Sequence, residues 1–207
     1  MTIPNSLEFW ERVAKDYEAV QDRRERPFEF RQIAKIVISG DPILEIGSAF
    51  GMFTKYLHPS VHYVGMELSP SMVAKSRALF PGRAFFCLDM MKAGAEWDGV
   101  FSTGIAGQLL EHFPDLETPM GPIKRIVRDR LIFSVPRGKI KDKAGAWLAD
   151  GHILSWADED EIAADLKSFG RVDFFKGAPN HICGVVTWNG PPPFIPETPK
   201  LPLHRAP

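Results

Sequence analysis

The sequence predicts an α/β fold in which a mostly parallel, seven-stranded sheet carries helices on both faces. Three observations support this prediction. Short apolar runs alternate with segments of helical spacing between residues 42 and 170, which is the pattern of consecutive strand–helix units. The first apolar run leads directly into a glycine loop at residues 47–51. Residues 171–175 and 182–188 are two strand-like runs joined by a Gly-Ala-Pro-Asn turn, so they predict an antiparallel hairpin that closes the sheet.

Two helices are expected before the sheet begins. Asn5 and Glu8 have the spacing of a capping box for a helix over residues 5–20. A second helix is expected to begin near Pro27, since proline suits the first helical turn. The apolar stripes that would pack these helices consist of Phe9, Val13 and Tyr17 in the first and Phe30, Ile33, Ala34 and Val37 in the second.

The chain divides into three parts by composition. Residues 1–40 hold the two leading helices and belong to the same domain as residues 41–190, which hold the sheet. Residues 191–207 are rich in proline, which cannot continue a helix or an interior strand, so an extended tail is expected there.

The rest of the chain is organised around residues 42–51, where an apolar strand ends in the glycine loop. Gly47 and Gly51 allow a sharp bend and a close approach of a ligand to the backbone. A helix is predicted over residues 50–57, and its unpaired N–H groups and positive dipole end would face an anionic group of the ligand.

Two later strands each end in a carboxylate. Glu67 follows Gly47 by twenty residues and closes the second strand, the placement that holds the two ribose hydroxyls of a bound nucleoside. Asp89 closes the third strand, and a fourth strand is predicted over residues 97–103, running into Gly104. A helix that begins at Ser69-Pro70 is expected between the second and third strands, because serine caps and proline follows.

These motifs together resemble those of class I S-adenosylmethionine-dependent methyltransferases. Glu45-Ile46-Gly47-Ser48-Ala49-Phe50-Gly51 resembles the first motif of that family, although Ala49 stands where the family usually has glycine. Glu67 resembles the ribose acid, Asp89 the adenine-side acid, and residues 109–115 the segment after the fourth strand. The resemblance covers roughly residues 40–190 and implies a Rossmann-like fold. It implies S-adenosylmethionine as the cofactor and S-adenosylhomocysteine as its product. The cofactor-binding residues expected on this basis are Glu45, Gly47, Ser48, Ala49, Gly51, Glu67, Leu68, Asp89, Met90, Thr103 and Gly104.

The same resemblance suggests where the methyl acceptor would lie. Glu111-His112 is similar to a pair found in many small-molecule methyltransferases, so His112 is a candidate proton acceptor, with His152 as a second. Leading helices in this family often fold over the cofactor and the substrate. Tentative substrate contacts are Trp10, Tyr17, Gln108 and Trp147. Core packing remains the alternative for the leading helices, and a helix histidine hydrogen-bonded to backbone is the alternative for His112. A helix cap or a solvated loop acid is the alternative for Asp89, and a solvated loop is the alternative for the segment at 137–154.

The segment after the fourth strand argues for a small-molecule acceptor. It reads Ser-Thr-Gly-Ile and lacks the Asn/Asp-Pro-Pro-Tyr/Phe run of the amino methyltransferases that act on nucleic acids and some proteins. It also lacks the cysteine that covalent cytosine methylation requires, and no metal site is predicted. An oxygen, nitrogen or carbon atom of a small molecule remains as the methyl acceptor. Four cations at Arg137, Lys139, Lys141 and Lys143 would favour an anionic one, unless they form a solvated loop.

Composition excludes several other classes of protein. A net charge of -1 over 207 residues gives no overall basic footprint for nucleic acid, which leaves only a local basic groove open. Cys87 and Cys183 have no metal-ligand spacing and fit a reducing compartment. No signal-like or membrane-spanning run is present, so a cytoplasmic protein without a membrane partner is expected.

Two other functions remain open from the sequence. A protein of the same fold could bind the cofactor, or could have lost it, and act through a partner. A nicotinamide-dependent oxidoreductase also uses a glycine loop and a ribose acid, but its loop normally reads Gly-x-Gly-x-x-Gly. Here three residues, Ser48, Ala49 and Phe50, separate the two glycines.

Overall fold

A computed structural model describes residues 6–21, 26–37, 42–139 and 151–190 of the chain, without the side chains of residues 16–27. The predicted tail at 191–207 lies outside the described residues, as does the greater part of the cationic segment, including Lys141, Lys143 and Trp147. Tyr17 lies in a described helix, but its side chain is not among those described.

A seven-stranded sheet forms the centre of the fold, in the order β3-β2-β1-β4-β5-β7-β6. The first five strands are mutually parallel, and β7 runs antiparallel between β5 and β6. The predicted mostly parallel sheet and its closing hairpin are therefore confirmed. The strands are β1 Ile43–Ile46, β2 Tyr63–Glu67, β3 Ala84–Cys87, β4 Phe101–Gly107, β5 Val127–Pro136, β6 Arg171–Phe175 and β7 His181–Thr187.

The helices lie between the strands and before the sheet. They are α1 Leu7–Gln21, α2 Arg26–Ile36, α3 Pro70–Leu79, α4 Glu117–Ile126 and α5 Glu159–Leu166. The predicted cap of α3 is confirmed, because the Ser69 hydroxyl accepts a hydrogen bond from the backbone N–H of Met72 at 3.1 Å. None of the described helices combines the length and the apolar character needed to cross a membrane.

Side chains cap α1 and α5, whereas Asn5, the predicted cap of the first helix, lies outside the described residues. At α1 the capping hydroxyl belongs to Ser6, which accepts from the Phe9 N–H at 3.1 Å. At α5 the cap is Asp158, which accepts from Glu161 N–H at 3.1 Å while the Glu161 carboxylate accepts from Ala157 N–H. Ser155 and Asp158 have the spacing of a capping box in the sequence, but the N-cap of α5 is Asp158. Trp156, between them, is buried, so the chain stays extended up to Asp158.

The fourth strand also differs from the prediction. It runs over Phe101–Gly107, whereas Trp97 belongs to a short 3-10 turn before it. Gly104 looked like a strand end because glycine is a poor strand former, but here it permits close packing. A Cβ on Gly104 would stand 3.0 Å from a methyl group of Val127. Thr103 and Gly104 thus lie inside the sheet, paired with β1 and β5, and the carboxyl end of β4 is at Gly107.

The hydrophobic core lies on both faces of the sheet. One cluster includes Met120, Ile123 and Ile126 of α4 packed on β4 and β5. The other places Phe30 and Ile33 of α2 against the opposite face. With both faces covered, the carboxyl edge of the parallel strands is where a ligand is expected, next to the switch in strand order between β1 and β4.

Candidate active site

The glycine loop after β1 is tightly tied to β2. The N–H groups of Gly47 and Ser48 both donate to the Met66 carbonyl, at 2.8 and 3.1 Å. Gly47 and Gly51 each have a φ of 71°, and Ala49 has a φ of 47°. The two glycines meet this left-handed backbone without strain, whereas Ala49 accepts some strain because its Cβ is close to its own backbone. The loop therefore turns its backbone back over the carboxyl ends of β1 and β2.

The predicted helix over residues 50–57 is wrong. The structure has only a 3-10 turn at Met52–Tyr56, and the Thr54 hydroxyl donates to the Gly51 carbonyl at 2.7 Å. The two left-handed residues at 49 and 51 leave too little chain for an α-helix before Leu57 turns to extended backbone. An anionic ligand group would consequently have to be held by loop N–H groups rather than by a helix dipole.

Glu67 lies at the end of β2 and braces the loop. One carboxylate oxygen accepts from the Ala49 N–H and the other from the Ser69 N–H, both at 2.9 Å. The side chain is 6% exposed. Burial raises the pKa of the Glu67 carboxyl, and the backbone donors at Ser69 and Ala49 oppose that shift. A buried carboxylate held in place by two N–H groups next to a glycine loop suits the recognition of ribose hydroxyls.

Glu45 occupies the level below the loop, on β1. Its carboxylate accepts a hydrogen bond from the Tyr63 hydroxyl on β2, and both side chains are buried. Burial raises the pKa of Tyr63 well above its usual value, and the neighbouring Glu45 charge adds to that shift. The contact joins β1 to β2 directly beneath the glycine loop, so Glu45 fixes the base of the proposed cofactor site.

Asp89 and its neighbours follow β3. The Asp89 carboxylate accepts from the Met91 N–H at 3.0 Å and lies 3.5 Å from the Lys92 ammonium. It thereby caps a 3-10 turn over Met90–Lys92, in which Met90 is buried. Capping of a short turn is the alternative to a cofactor role for Asp89, which follows β3 at the edge where Cys87 pairs with Glu67 of β2.

Helix α1 crosses over the glycine loop and is anchored by Glu11. The Glu11 carboxylate accepts from the Ser71 N–H at 3.1 Å and from the hydroxyls of Ser69 and Ser71. Trp10 packs with Ala49 and Phe50 of the loop. The N-terminal helix thus forms one wall over the loop and over the start of α3.

We expect Glu11→Gln to loosen α1 without unfolding the sheet. The hydroxyl of Ser69, and then that of Ser71, hold the pKa of Glu11 below its usual 4.5. A lowered folded-state pKa means that the stabilisation is present above pH 4.5 and is lost as pH falls through the lowered value. At neutral pH, hydrogen exchange of the α1 amides should be roughly two- to tenfold faster in the variant. Equal exchange in Glu11→Gln and in the exposed control Glu8→Gln would contradict this anchoring role.

The predicted histidines, His112 and His152, do meet. Their ring centroids lie 4.9 Å apart, and Trp10 stands edge-on to His112 at the same centroid distance. His112 Nδ1 lies 3.1 Å from the Gly151 carbonyl, so Nδ1 is the protonated nitrogen of a neutral ring and Nε2 is its acceptor. The Glu111 carbonyl accepts from the N–H groups of Ile153 and Leu154, which holds the two segments together.

The same cluster has the composition of a metal site, which the sequence analysis did not foresee. Glu111, His112 and His152 are all buried, and each offers a ligand atom within 4.8 Å of the others. Two imidazoles and a carboxylate are ligand types that suit several divalent transition metals. The prediction that no metal is used stays a prediction.

A second polar cluster lies at the carboxyl ends of β4 and β5. The sequence did not predict that its residues come together. Gln108, a predicted substrate residue, directly follows β4, and its Nε2 lies 2.8 Å from Nε2 of His181. His181 Nδ1 lies 3.1 Å from the Glu29 carboxylate, which also accepts from the Ser134 hydroxyl. Glu29, Ser134 and His181 have no sequence spacing in common, so no motif announced them.

The two described cations of the segment after β5 are paired. Arg137 forms an ion pair with Glu159, and Lys139 Nζ is paired with Glu161. Both carboxylates belong to α5, so these ion pairs join that helix to the end of β5.

Comparison with known proteins agrees with this geometry. Residues 44–133 match a family described as a methyltransferase domain. None of the curated proteins matches the chain. Among solved structures, a SAM-dependent methyltransferase from Thermotoga maritima, described as a possible histamine N-methyltransferase, is similar over 88% of this chain and 99% of its own, with a TM-score of 0.68 and 16% identity.

Two further structures share the fold. The DhpI-SAM-HEP complex has a TM-score of 0.65 and 15% identity, covering 86% of this chain and 94% of its own. The CurJ carbon methyltransferase has a TM-score of 0.58 and 14% identity over 72% of this chain, which spans only 48% of the CurJ chain. At these identities the likeness shows a shared fold. The matched domain over residues 44–133, the strand order and the loop with its acid at Glu67 all agree with the fold and the motifs of class I S-adenosylmethionine-dependent methyltransferases.

Proposed function

We propose that the protein transfers the methyl group of S-adenosylmethionine to an oxygen, nitrogen or carbon atom of a small-molecule acceptor and releases S-adenosylhomocysteine. The observation that carries this proposal is the buried Glu67 carboxylate, held against the glycine loop by the Ala49 and Ser69 N–H groups. That arrangement offers a fixed anion for two ribose hydroxyls beside a backbone that a ligand can approach closely. The DhpI structure, of the same fold, contains S-adenosylmethionine.

The remaining cofactor contacts follow from the edge of the sheet. Gly47, Ser48, Ala49 and Gly51 would lie under the methionine part and the ribose of the cofactor, over the base formed by Glu45. Leu68, Asp89 and Met90 flank the side on which the adenine would lie, since they follow β2 and β3. Thr103 and Gly104, expected at the cofactor from the sequence, are interior to β4, so Gly107 and Gln108 take their place at the edge.

Methyl transfer needs an aligned acceptor more than it needs chemistry from the protein. The methyl group of a sulfonium is already activated, so the protein contributes mainly by holding the two reactants in line and close together. Trp10 lies between the glycine loop and His112, which places it where it would contact both reactants. His112, with His152 beside it, is the proposed proton acceptor when the acceptor group carries a proton. Tyr17 and Trp147 stay predictions.

Calorimetric titration of the full chain with S-adenosylhomocysteine tests the proposal, with NAD as the parallel ligand. We expect micromolar binding of S-adenosylhomocysteine alone, because Glu67 and the loop match a nucleoside with free ribose hydroxyls, and the loop lacks the Gly-x-Gly-x-x-Gly spacing. Binding of NAD alone would replace the proposal with an oxidoreductase. Binding of neither would favour a protein that acts through a partner.

A labelled-methyl assay separates an enzyme from a protein that only binds the cofactor. Methyl-labelled S-adenosylmethionine is incubated with the protein and a panel of small amines, phenols and carboxylic acids, and label in the acceptor is counted. Transfer to any panel member supports the proposed reaction. Cofactor binding without transfer to any of these classes would contradict it.

A further inference from the structure

Four polar side chains from separate segments meet at the edge of the sheet that carries the proposed site. Glu29 comes from α2, Gln108 follows β4, Ser134 lies in β5, and His181 begins β7. We call these four residues the Glu29–His181 network. Because β7 is antiparallel, its first residue lies beside the last residue of β5, His181 opposite Pro136. The network therefore lies on the carboxyl edge, beyond β4 on the side away from Glu67.

The burial of Glu29 shows that the network is more than an accidental contact. Its side chain is 1% exposed, and a carboxylate removed from water is costly unless hydrogen-bond donors and charge compensate it. The Ser134 hydroxyl supplies one donor, and His181 Nδ1 stands 3.1 Å from the other carboxylate oxygen. That distance brings the ring into electrostatic contact with the carboxylate, although the ring N–H is poorly aligned for a hydrogen bond. The carboxylate fixes the proton of a neutral His181 on Nδ1 and leaves Nε2 as an acceptor.

Gln108 adds a second, independent sign of function. It has a φ of 57°, which is uncommon for a residue with a side chain, and its backbone N–H donates to the Ser134 carbonyl at 2.8 Å. Such strain persists where the surrounding structure enforces it and is concentrated at functional sites. Here it directs the Gln108 amide to within 2.8 Å of His181 Nε2. The amide nitrogen donates to a ring in the Nδ1–H form, whereas the amide would have to turn over if the ring were doubly protonated.

We propose that His181 Nε2, positioned by Glu29, binds a hydroxyl or amine N–H of the methyl acceptor other than the proton that His112 would accept. This inference rests on the proposed function, because it assigns the network to the part of the proposed active site that binds the methyl acceptor. The Gln108 amide now acts as the hydrogen-bond donor to Nε2. A hydroxyl or amine group of the methyl acceptor would replace the amide as that donor. The His181 side chain is 14% exposed, so it is within reach of a small molecule. The buried Glu29 charge repels anions, so the acceptor is neutral or cationic.

Three probes of similar size test the assignment. Protein saturated with S-adenosylhomocysteine is titrated with benzyl alcohol, benzylamine and benzoate while the histidine ring signals are followed by NMR. The His181 signals are identified by their absence from His181→Gln. We expect the alcohol or the amine to shift the His181 signals at lower concentration than benzoate does. His181→Gln should weaken binding of that probe about tenfold, which is the usual loss for one hydrogen bond, and Glu29→Gln should reduce its preference over benzoate.

The controls separate this inference from the proposed function. His58 lies on the surface with its ring nitrogen near Ser60, so His58→Gln should leave every probe affinity unchanged. S-adenosylhomocysteine binding is measured first in each variant, and its absence in the native protein would refute the proposed function itself. If the cofactor product binds but neither donor probe moves the His181 signals, or benzoate binds best, the His181 assignment is overturned. Because the His181 ring signals can also be assigned in the native protein through their correlations with the His181 backbone, a variant that fails to fold does not remove the test.

Discussion

Replacing Glu67 with glutamine is expected to weaken S-adenosylhomocysteine binding roughly 10- to 100-fold. A hydrogen bond to a charged acceptor contributes about 1.5–3 kcal/mol, and a glutamine amide cannot accept on both sides. One side of the new amide would also direct an NH₂ group toward the N–H of Ala49 or Ser69, which now donate to the carboxylate at 2.9 Å. Calorimetry on the purified variant measures the loss. The exposed Glu96→Gln is the matched control and should bind as the native protein does.

The pH dependence of binding provides a second measurement of the same residue. Burial raises the pKa of Glu67 above its usual 4.5, so its protonation begins at a higher pH than that of an ordinary carboxylate. Since the ionised form accepts the ribose hydroxyls best, affinity should fall as pH decreases through that raised pKa. The native protein and Glu96→Gln should show this fall, and Glu67→Gln should not. Identical affinities at every pH in all three proteins would remove Glu67 from the cofactor site.

The sequence predicts the parts of this site that depend on local pattern. The spacing from Gly47 to Glu67 and the apolar runs before them follow from the geometry of one strand–loop–strand unit, and the structure confirms the sheet and the position of Glu67 at the end of β2. The Ser69 cap is equally local, because the serine hydroxyl accepts from a backbone N–H of the first turn and proline suits the first helical position.

What the sequence could not predict depends on tertiary contacts. Glycine in β4 suggested a strand end, but Gly104 is required by the approach of Val127 and Leu131 from the neighbouring strand, which no local pattern encodes. The helix predicted after the loop does not form because the left-handed residues at 49 and 51 occupy the positions of its first turn. The Glu29–His181 network joins residues that are far apart in the chain. Glu29 and Ser134, for example, are 105 positions apart.

Replacing His112 with alanine is expected to lower kcat/KM about 10²- to 10⁴-fold for an acceptor that must lose a proton, the range typical of general base catalysis. The reason is geometric, since the Nδ1 contact with the Gly151 carbonyl leaves Nε2 as the basic nitrogen, and Trp10 places the ring beside the glycine loop. The assay uses whichever amine or phenol of the panel is methylated, with a chelator present so that no metal ion occupies the cluster with Glu111 and His152.

Three comparisons decide whether His112 acts on the proton or only supports the fold. His112→Ala should bind S-adenosylhomocysteine as tightly as the native protein, because the residue lies beyond the loop contacts of Glu67. Added imidazole should restore part of its rate by filling the space of the lost ring, and should not accelerate the surface variant His58→Gln. His152→Ala should lose less of the rate, since His152 would act on the acceptor's proton only through its contact with His112. A rate for His112→Ala equal to that of His58→Gln would show that His112 is not the proton acceptor, and an equal rate for His152→Ala as well would leave alignment of the two reactants as the contribution of this cluster.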